Sequence, residues 1–393
     1  MGAELDGAPR HVRLPRAGPR AGRRLCGAVL CGVLLAAVAG CSGDDRRPAP
    51  RSPSPTPASS SAAPTLSAGP EGRSGSPGPG VSAAGCAGGG PTLREGRDTL
   101  RYGGLERVYL LALPRGRGPH PVLLDLHGLG SNAADQAAYS RLPRRGAARG
   151  YIVITPQAAE GRLGWTLPHA YGPDDTGFLG ALLDRVERGA CVDRGRVFAA
   201  GMSFGAGMSA ALACVTDDVT GDTEHDTTDD TTDDTGTTEG AAGRGIGGRL
   251  AGVAAVAGLN IVPPCERPAP LTLLAFHGTA DKVVPYRGGH PFQGSARRRG
   301  LAELVTLPPV EQSAQTWARA LGCAGDGVTA PADTVRLRRW TGCRGGTSVR
   351  LYTLRGAGHT WPGAIDVPRL GPTDHDLDAT RVILDAFDAT PPR

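Results

Sequence analysis

One serine of this chain lies where a β-type apolar run gives way at once to a helical run of small residues. The turn between the two reads Gly201-Met202-Ser203-Phe204-Gly205. Such a strand-turn-helix unit strains the backbone of its serine and exposes the hydroxyl at a helix N-terminus, where the dipole favours negative charge. Gly201 and Gly205 leave the room that the tight turn needs. The pattern predicts that Ser203 is a nucleophile, although G-x-S-x-G also occurs by chance around an ordinary serine.

A serine hydroxyl needs a base to take its proton and a third group to orient that base. Asp281 follows a predicted strand at 271–276, and His359 lies in a glycine-rich loop after a predicted strand at 349–354. Taken singly, Asp281 is equally typical of a turn and His359 of a surface loop. His277 is a competing base, but its place at a strand end before a glycine favours a packed side chain. The order Ser, Asp, His after three separate strands predicts a triad of Ser203, Asp281 and His359.

Attack by such a serine on an acyl group places negative charge on the carbonyl oxygen, which backbone N–H groups can stabilise. The Phe204 N–H, next after the serine, is one expected donor. The second is expected from the turn after His127, with Leu129 as the first candidate and Gly128 as the alternative. A simple turn that ends a strand is the other interpretation of this His-Gly pair.

The elements that must position these groups have the pattern of a layered α/β fold. Short continuous apolar strands alternate with helical segments, which is typical of a mostly parallel central sheet with helices on both faces. Asp174 and Asp175 are candidate caps for the first of these helices. Besides the strand into Ser203, the predicted strands are 107–114, 121–126, 151–156, 252–257, 271–276 and 349–354, and the predicted helices are 176–188, 206–214, 311–321 and 377–387.

The motifs together resemble those of secreted esterases of the polyhydroxybutyrate depolymerase-like and feruloyl esterase-like family. The resemblance rests on the serine pentapeptide, on His277-Gly278-Thr279-Ala280-Asp281-Lys282-Val283-Val284-Pro285 and on Gly358-His359-Thr360-Trp361-Pro362-Gly363. It extends over about residues 93–387, apart from an acidic insertion. It implies an α/β-hydrolase fold, the triad named above and an oxyanion loop after His127. It implies no metal and no organic cofactor.

The same resemblance bears on substrates. Members of the family act on feruloyl or acetyl esters of plant polysaccharides and on hydroxyalkanoate polyesters, and nothing in this sequence selects among these. Phe204 stands where members often have Asn, so the pocket beside the nucleophile is expected to differ. Candidate substrate contacts are Trp361, Trp165 and His127, with core packing as the alternative for the two tryptophans. Aromatic residues make up only 4% of the chain, so we expect small or oligomeric esters rather than insoluble polymer.

Charge and the N-terminal segment indicate export. The net charge is +5, and residues 1–40 supply most of it with six Arg against Glu4 and Asp6. The remainder carries no basic stripe of the kind that binds nucleic acid. Arg23 and Arg24 precede an apolar run at 25–39, which is typical of a signal peptide, and the run ends in Val38-Ala39-Gly40-Cys41, which resembles a bacterial lipobox. The alternatives to lipidation at Cys41 are a plain signal peptide and an uncleaved anchor.

The cysteine count agrees with an exported protein. Two of the nine cysteines lie in the predicted signal peptide, and Cys41 is the predicted lipid site. Six cysteines remain, and an even number of cysteines in an exported chain suggests three disulfides. Metal ligation is the alternative, but no CxxC pair supports it. Fifteen pairings are possible. Proximity along the chain favours Cys323–Cys343, with Cys214–Cys265 and Cys86–Cys191 as the next choices.

The chain is therefore predicted to comprise a signal peptide (1–40), a disordered Pro/Ser/Gly-rich tether (41–85) and one α/β-hydrolase domain (86–393). A Thr/Asp/Gly-rich insertion at 216–243 is expected to be a disordered loop, because residues 216–239 include ten acidic residues and no Lys or Arg. A calcium site is the alternative, but the spacing lacks its Gly and bidentate Glu. We expect a monomeric serine esterase at the extracellular face, lipid-anchored or released, with membrane contact only through the lipid. The alternatives are an acyltransferase to a cell-wall acceptor and a non-catalytic binding lipoprotein on a hydrolase scaffold.

Overall fold

The described part of the chain is organised by a ten-stranded sheet. The computed structural model describes residues 86–88, 92–215, 246–293, 304–330 and 333–393. The strand order is β1-β2-β4-β3-β5-β6-β7-β10-β9-β8. The strands are β1 Gly96–Tyr102, β2 Leu105–Ala112, β3 His120–Leu126, β4 Ile152–Pro156, β5 Val192–Met202, β6 Leu250–Val256, β7 Thr272–Gly278, β8 Ala324–Ala330, β9 Val335–Thr341 and β10 Val349–Leu354.

The centre of the sheet is parallel and its two margins are antiparallel. Strands β4, β3, β5, β6, β7 and β10 pair in parallel. Antiparallel pairing joins β1 to β2 and β2 to β4 at one margin, and β10 to β9 and β9 to β8 at the other. Because parallel strands end at the same edge, the loops after β3, β5, β7 and β10 share one rim of the sheet.

Helices cover both faces of the sheet. One apolar core contains buried residues of α3, α4 and α5, and the second contains those of α2 and α6. Successive residues of β3 face opposite cores, as Leu124 and Leu123 do. This arrangement, with Ser203 on a strand-to-helix turn, confirms the predicted α/β-hydrolase fold. The helices described are α1 Ala133–Ser140, α2 Leu142–Ala147, α3 Asp175–Gly189, α4 Phe204–Leu212, α5 Val310–Ala320 and α6 Ala379–Asp388.

Side-chain caps fix where three of these helices begin. The Asp174 carboxylate accepts a 2.8 Å hydrogen bond from the Gly177 N–H at the start of α3, as the sequence predicts. Asn132 caps α1 through the Asp135 N–H at 2.9 Å, and Asp378 caps α6 through the Arg381 N–H at 3.0 Å. Each cap satisfies a backbone donor that the first helical turn leaves unpaired.

Three disulfides join elements that are distant along the chain. They are Cys86–Cys191, Cys214–Cys265 and Cys323–Cys343, which are the pairs that the sequence favoured. The predicted signal peptide, Cys41, the tether and the insertion at 216–243 lie outside the described residues. Within the described ranges, no helix has the length and apolar character needed to cross a bilayer.

Candidate active site

Ser203 lies at the junction of β5 and α4 in a backbone conformation that side chains rarely adopt. Its φ and ψ angles are 56° and −121°. The Ser203 N–H donates to the Val256 carbonyl at 2.8 Å, and its own carbonyl accepts from the Ala206 and Gly207 N–H groups at 3.0 and 3.1 Å. The turn is therefore held from β6 and from α4 at once. A strained residue fixed on both sides in this way is typical of a functional position.

The two glycines of the pentapeptide are required by close backbone contacts. A Cβ atom on Gly205 would lie 2.1 Å from the Leu126 carbonyl oxygen, and one on Gly201 would lie 2.4 Å from the Gly205 carbonyl oxygen. Either methyl group would push α4 away from the ends of β3 and β5. The structure thus agrees with the predicted reason for glycine at both positions.

Asp281 and His359 come together because the loops after β7 and β10 are hydrogen-bonded to each other. The Thr279 N–H donates to the Leu354 carbonyl and the Ala280 N–H to the Ala357 carbonyl, both at 2.9 Å. A Cβ atom on Gly278 would lie 2.2 Å from the Ala357 carbonyl oxygen, so the crossing of the two loops needs glycine there. His359 Nδ1 lies 2.8 Å from Asp281 Oδ2.

The Asp281 carboxylate is buried and accepts several hydrogen bonds. Oδ1 accepts from the Val283 and Val284 N–H groups at 2.8 Å each. Oδ2 contacts His359 and also His277 Nε2, the latter at 3.3 Å. Burial by itself would raise the pKa of Asp281, but the hydrogen bonds from His277 and His359 outweigh it and lower that pKa. The group is therefore an anion that can orient an imidazole.

Ser203 belongs to the same rim of the sheet, but the structure does not pair its hydroxyl with His359. Ser203 is half-buried. Oγ makes no side-chain hydrogen bond to any residue in the described ranges. Catalytic hydrogen bonds of this kind are often long in unliganded enzymes and shorten when substrate binds. The structure therefore joins two of the three predicted triad members, and the third contact remains a prediction.

The turn after His127 lies against the serine. A Cβ atom on Gly128 would lie 3.2 Å from Ser203 Cβ. The Gly130 N–H donates to the Leu163 carbonyl at 2.6 Å. The Leu129 N–H donates no backbone hydrogen bond within the part of the chain that the structure describes. The Phe204 N–H opens α4, where N–H groups have no intrahelical acceptor. Both N–H groups therefore remain predicted donors beside Ser203.

His127 and Trp165 do not line an open substrate site, contrary to the prediction for both. His127 is fully buried, and Trp165 is 4% exposed. The Ala158 N–H donates to His127 Nε2 at 3.1 Å, so Nδ1 carries the proton and donates to the Gly128 carbonyl at 2.9 Å. The Trp165 indole N–H donates to the His127 carbonyl at 2.9 Å. Both side chains thus hydrogen-bond to the backbone of the turn or of the segment that follows β4.

Trp361 is likewise a core residue, and the prediction that it contacts substrate is wrong. Its side chain is fully buried, and its indole N–H donates to Thr380 Oγ1 at 3.0 Å. The side chain points into the core shared with α6. Trp361 therefore anchors the loop that carries His359.

An apolar wall beside the serine was missed by the sequence analysis. A Cβ atom on Gly164 would lie 2.9 Å from Leu129 Cδ1 and 3.1 Å from Phe204 Cδ1. The side chains of the two proposed oxyanion residues thus converge on this glycine. Leu129 is 39% exposed. No local pattern could signal the wall, because it joins three residues that are distant in sequence.

Comparison with known proteins finds relatives that are named as esterases. No protein-family model matches the chain. It is 27% identical to feruloyl esterase B of Piromyces equi over 245 residues, or 61% of this chain and 39% of that protein. It is 28% identical to the putative esterase NocK of Nocardia uniformis subsp. tsuyamanensis over 290 residues, or 70% of this chain and 75% of the relative.

Two further similarities are of the same kind. Feruloyl esterase D of Neurospora crassa is 32% identical over 155 residues, which are 35% of this chain and 51% of that protein. The chain therefore spans about two fifths to three quarters of the length of these three relatives. An acetyl xylan esterase from Aspergillus awamori superimposes with a TM-score of 0.44 at 14% identity, covering 67% of this chain and 94% of that one. In sequence, the chain is similar to carboxylic ester hydrolases.

Proposed function

We propose that this chain is a carboxylic ester hydrolase that acts through an acyl-enzyme on Ser203. The observation that carries the proposal is the buried Asp281–His359 pair, 2.8 Å apart, on the rim of the sheet where the strained Ser203 also lies. The esterase relatives support the same activity.

The proposed reaction has two steps. Ser203 Oγ attacks the ester carbonyl carbon while His359 Nε2 takes the hydroxyl proton. The tetrahedral intermediate collapses, and His359 returns the proton to the departing alcohol. A water molecule then attacks the acyl carbon while His359 takes a proton from it, and His359 returns this proton to Ser203 Oγ as the bond to the serine breaks and the acid leaves. Throughout both steps the Asp281 carboxylate accepts the hydrogen bond from His359 Nδ1–H and stabilises the imidazolium.

The negative charge of each intermediate falls on the former carbonyl oxygen. The N–H groups of Phe204 and Leu129, with Gly128 as the alternative to Leu129, are the proposed donors to that oxygen. The apolar wall of Leu129, Phe204 and Gly164 is proposed to contact the acyl or alcohol group. We propose soluble feruloyl, acetyl or short hydroxyalkanoate esters as the substrate class. Export and lipidation at Cys41 are part of the same proposal, and the three disulfides support export.

Hydrolysis of p-nitrophenyl acetate by the purified chain tests the proposal. Ser203→Ala is expected to lower kcat at least about a thousandfold with an unchanged circular dichroism spectrum, because the nucleophile is lost and the fold is kept. A folded Ser203→Ala variant with near wild-type turnover would sink the mechanism. Methyl ferulate, acetylated xylan and hydroxybutyrate oligomers, compared by kcat/KM, would then assign the substrate class.

A further inference from the structure

A second histidine contacts the carboxylate that orients His359. His277 lies in β7 and is 1% exposed. Its Nε2 atom is 2.8 Å from the Val284 carbonyl oxygen and 3.3 Å from Asp281 Oδ2. His359 Nδ1 contacts the same Oδ2 atom from the other side, at 2.8 Å. One carboxylate oxygen therefore lies between two imidazole rings.

The partners of His277 determine where its proton lies. A carbonyl oxygen can only accept, so Nε2 carries a hydrogen that faces both the Val284 carbonyl and Asp281 Oδ2. Nδ1 is buried and has no hydrogen-bond partner in the described structure. A second proton on Nδ1 would be a buried donor without an acceptor, which is costly. The proton of the ring is therefore on Nε2, which donates to the Val284 carbonyl and lies 3.3 Å from Asp281 Oδ2.

This geometry excludes His277 as the general base of the reaction. The Nε2–H group is engaged by the Val284 carbonyl at 2.8 Å, with Asp281 Oδ2 beside it at 3.3 Å, and Nδ1 is enclosed by protein. A base must present a free lone pair to the proton that it removes. The role left for His277 is to act on Asp281.

Other titratable groups near His277 are engaged elsewhere. The ring of Tyr286 meets that of His277 edge-on, with centroids 5.9 Å apart. The Tyr286 hydroxyl binds Glu311 of α5 and Thr353 of β10 at 2.9 and 2.8 Å. Arg336 of β9 donates to both Tyr286 and Glu311. The Arg336–Glu311 ion pair thus lies on the far side of Tyr286 from His277. Asp281 is the anion that His277 contacts directly.

We propose that His277 is a positioning residue, which holds Asp281 Oδ2 toward His359. This inference rests on the proposed hydrolase function. Without the Nε2–H donor, the carboxylate would become more basic and freer to turn. A more basic carboxylate holds the proton on His359 more strongly, so His359 would become a free base only at higher pH.

Two substitutions at His277 separate this role from simple packing. His277→Gln keeps an amide N–H near the place of Nε2, whereas His277→Phe keeps a ring without a donor. In p-nitrophenyl acetate hydrolysis, corrected by active-site titration, His277→Phe is expected to lower kcat about tenfold with little change in KM. The acidic limb of its kcat/KM profile should move to higher pH by about half a unit. His277→Gln should recover kcat to within about threefold of the wild type and restore the limb.

The control is His120→Phe at the opposite end of the sheet. Among the described residues, the Gly150 carbonyl is the hydrogen-bond partner of His120 Nδ1, at 3.0 Å, so this variant should keep the wild-type kcat and pH profile. The proposal is overturned if His277→Phe keeps the wild-type acidic limb, or if His277→Gln behaves as His277→Phe does. Should the phenylalanine variant fail to fold, His277→Asn takes its place, because its shorter amide cannot reach the position of Nε2.

A readout that needs no turnover separates this proposal from the hydrolase proposal. The pH at which the His359 ring signals titrate in NMR spectra should rise in His277→Phe. A wild-type chain that hydrolyses no ester would sink the proposed function. An unchanged His359 titration in a hydrolytic enzyme would sink only the role of His277.

Discussion

Two carboxyl groups, those of Asp125 and Asp281, are buried near the rim of the sheet that carries Ser203 and His359. Hydrogen bonds to both oxygens of the Asp281 carboxylate stabilise its negative charge. Asp125, two residues before His127, is also fully buried, but its partners are the neutral donors Gln136 at 2.7 Å and Ser140 at 2.6 Å. Burial raises the pKa of Asp125 to about 7, although the bonds from Ser140 and Gln136 oppose the shift. The Asp281 carboxylate is thus kept ionised, whereas the pKa of Asp125 is about 7.

The raised pKa of Asp125 predicts a definite dependence of stability on pH. Between the ordinary value of 3.8 and about 7, the folded state holds a proton that the unfolded state has lost. The free energy of unfolding therefore decreases as pH rises through this window. The asparagine of the Asp125→Asn variant does not titrate, so the variant lacks this contribution to the pH dependence. The difference between variant and wild type should move in favour of the variant by about 2–4 kcal/mol from pH 4 to pH 8.

Urea unfolding of both proteins at several pH values measures this difference. Parallel stability curves for the wild type and Asp125→Asn would contradict the prediction. The comparison cancels the contributions of other groups that titrate in the same window.

At the scale of elements, the junction of α1 and α2 connects the two loops that flank the serine. The Trp361 indole donates to Thr380 Oγ1 at 3.0 Å, and Thr380 donates to the Ser140 carbonyl at 2.5 Å. The neighbours of Ser140 contribute as well, because the Trp361 N–H donates to the Tyr139 hydroxyl and Arg141 donates to the Gly363 carbonyl. Ser140 in turn donates to Asp125 in β3. The loop that carries His359 and the strand before the oxyanion turn are therefore fastened to one helix end.

Breaking this connection should affect turnover more than binding. Thr380→Val keeps the shape of the side chain and removes both of its hydrogen bonds, so the His359 loop loses one of its connections to α1. We expect kcat to fall about three- to tenfold with KM nearly unchanged, since a misplaced catalytic group stabilises the transition state less.

The matched control is Thr390→Val. Thr390 is another buried threonine, and its hydroxyl donates only to the Ala386 carbonyl at 2.8 Å. Steady-state kinetics after active-site titration should leave this control within about twofold of the wild type. Equal kcat values for Thr380→Val and the wild type would show that the anchor does not matter.

The sequence predicted strands that are mostly buried and missed strands that are mostly exposed or half-buried. β10 was predicted at its observed bounds, because Val349–Leu354 is buried along most of its length. β1 and β9 were missed, since Gly96–Tyr102 and Val335–Thr341 are rich in charged or polar residues and lie near the margins of the sheet. α1 has too few apolar residues for a helical period to be recognised.

Within the site, residue types were predictable and side-chain directions were not. The order of Ser203, Asp281 and His359 follows from motifs, and their strand-end positions agree with it. Trp361 stands two residues after His359, but a loop gives no rule for which way its ring points. The second contact of Asp281, with His277, depends on how the chain turns between β7 and Val284. That turn is a property of the folded backbone.

At the scale of the whole molecule, the disulfides tie the periphery to the sheet without entering the site. Cys86–Cys191 closes a separation of 105 residues, and Cys323–Cys343 closes one of 20. The catalytic rim is instead held by backbone crossings at Gly205 and Gly278, where glycine is needed for contact. The described part of the chain thus combines disulfides outside the site with close backbone packing at the rim of the sheet. Disulfides are typical of extracellular proteins.

Covalent labelling of the intact protein by a fluorophosphonate tests the central claim most directly, because only an activated serine reacts with such a probe. Mass spectrometry of the labelled and digested protein should find the phosphonyl group on Ser203, and both Ser203→Ala and His359→Ala should abolish it. A folded wild-type protein that takes no label, or that takes it on another residue, would contradict the proposed nucleophile and with it the account of this site.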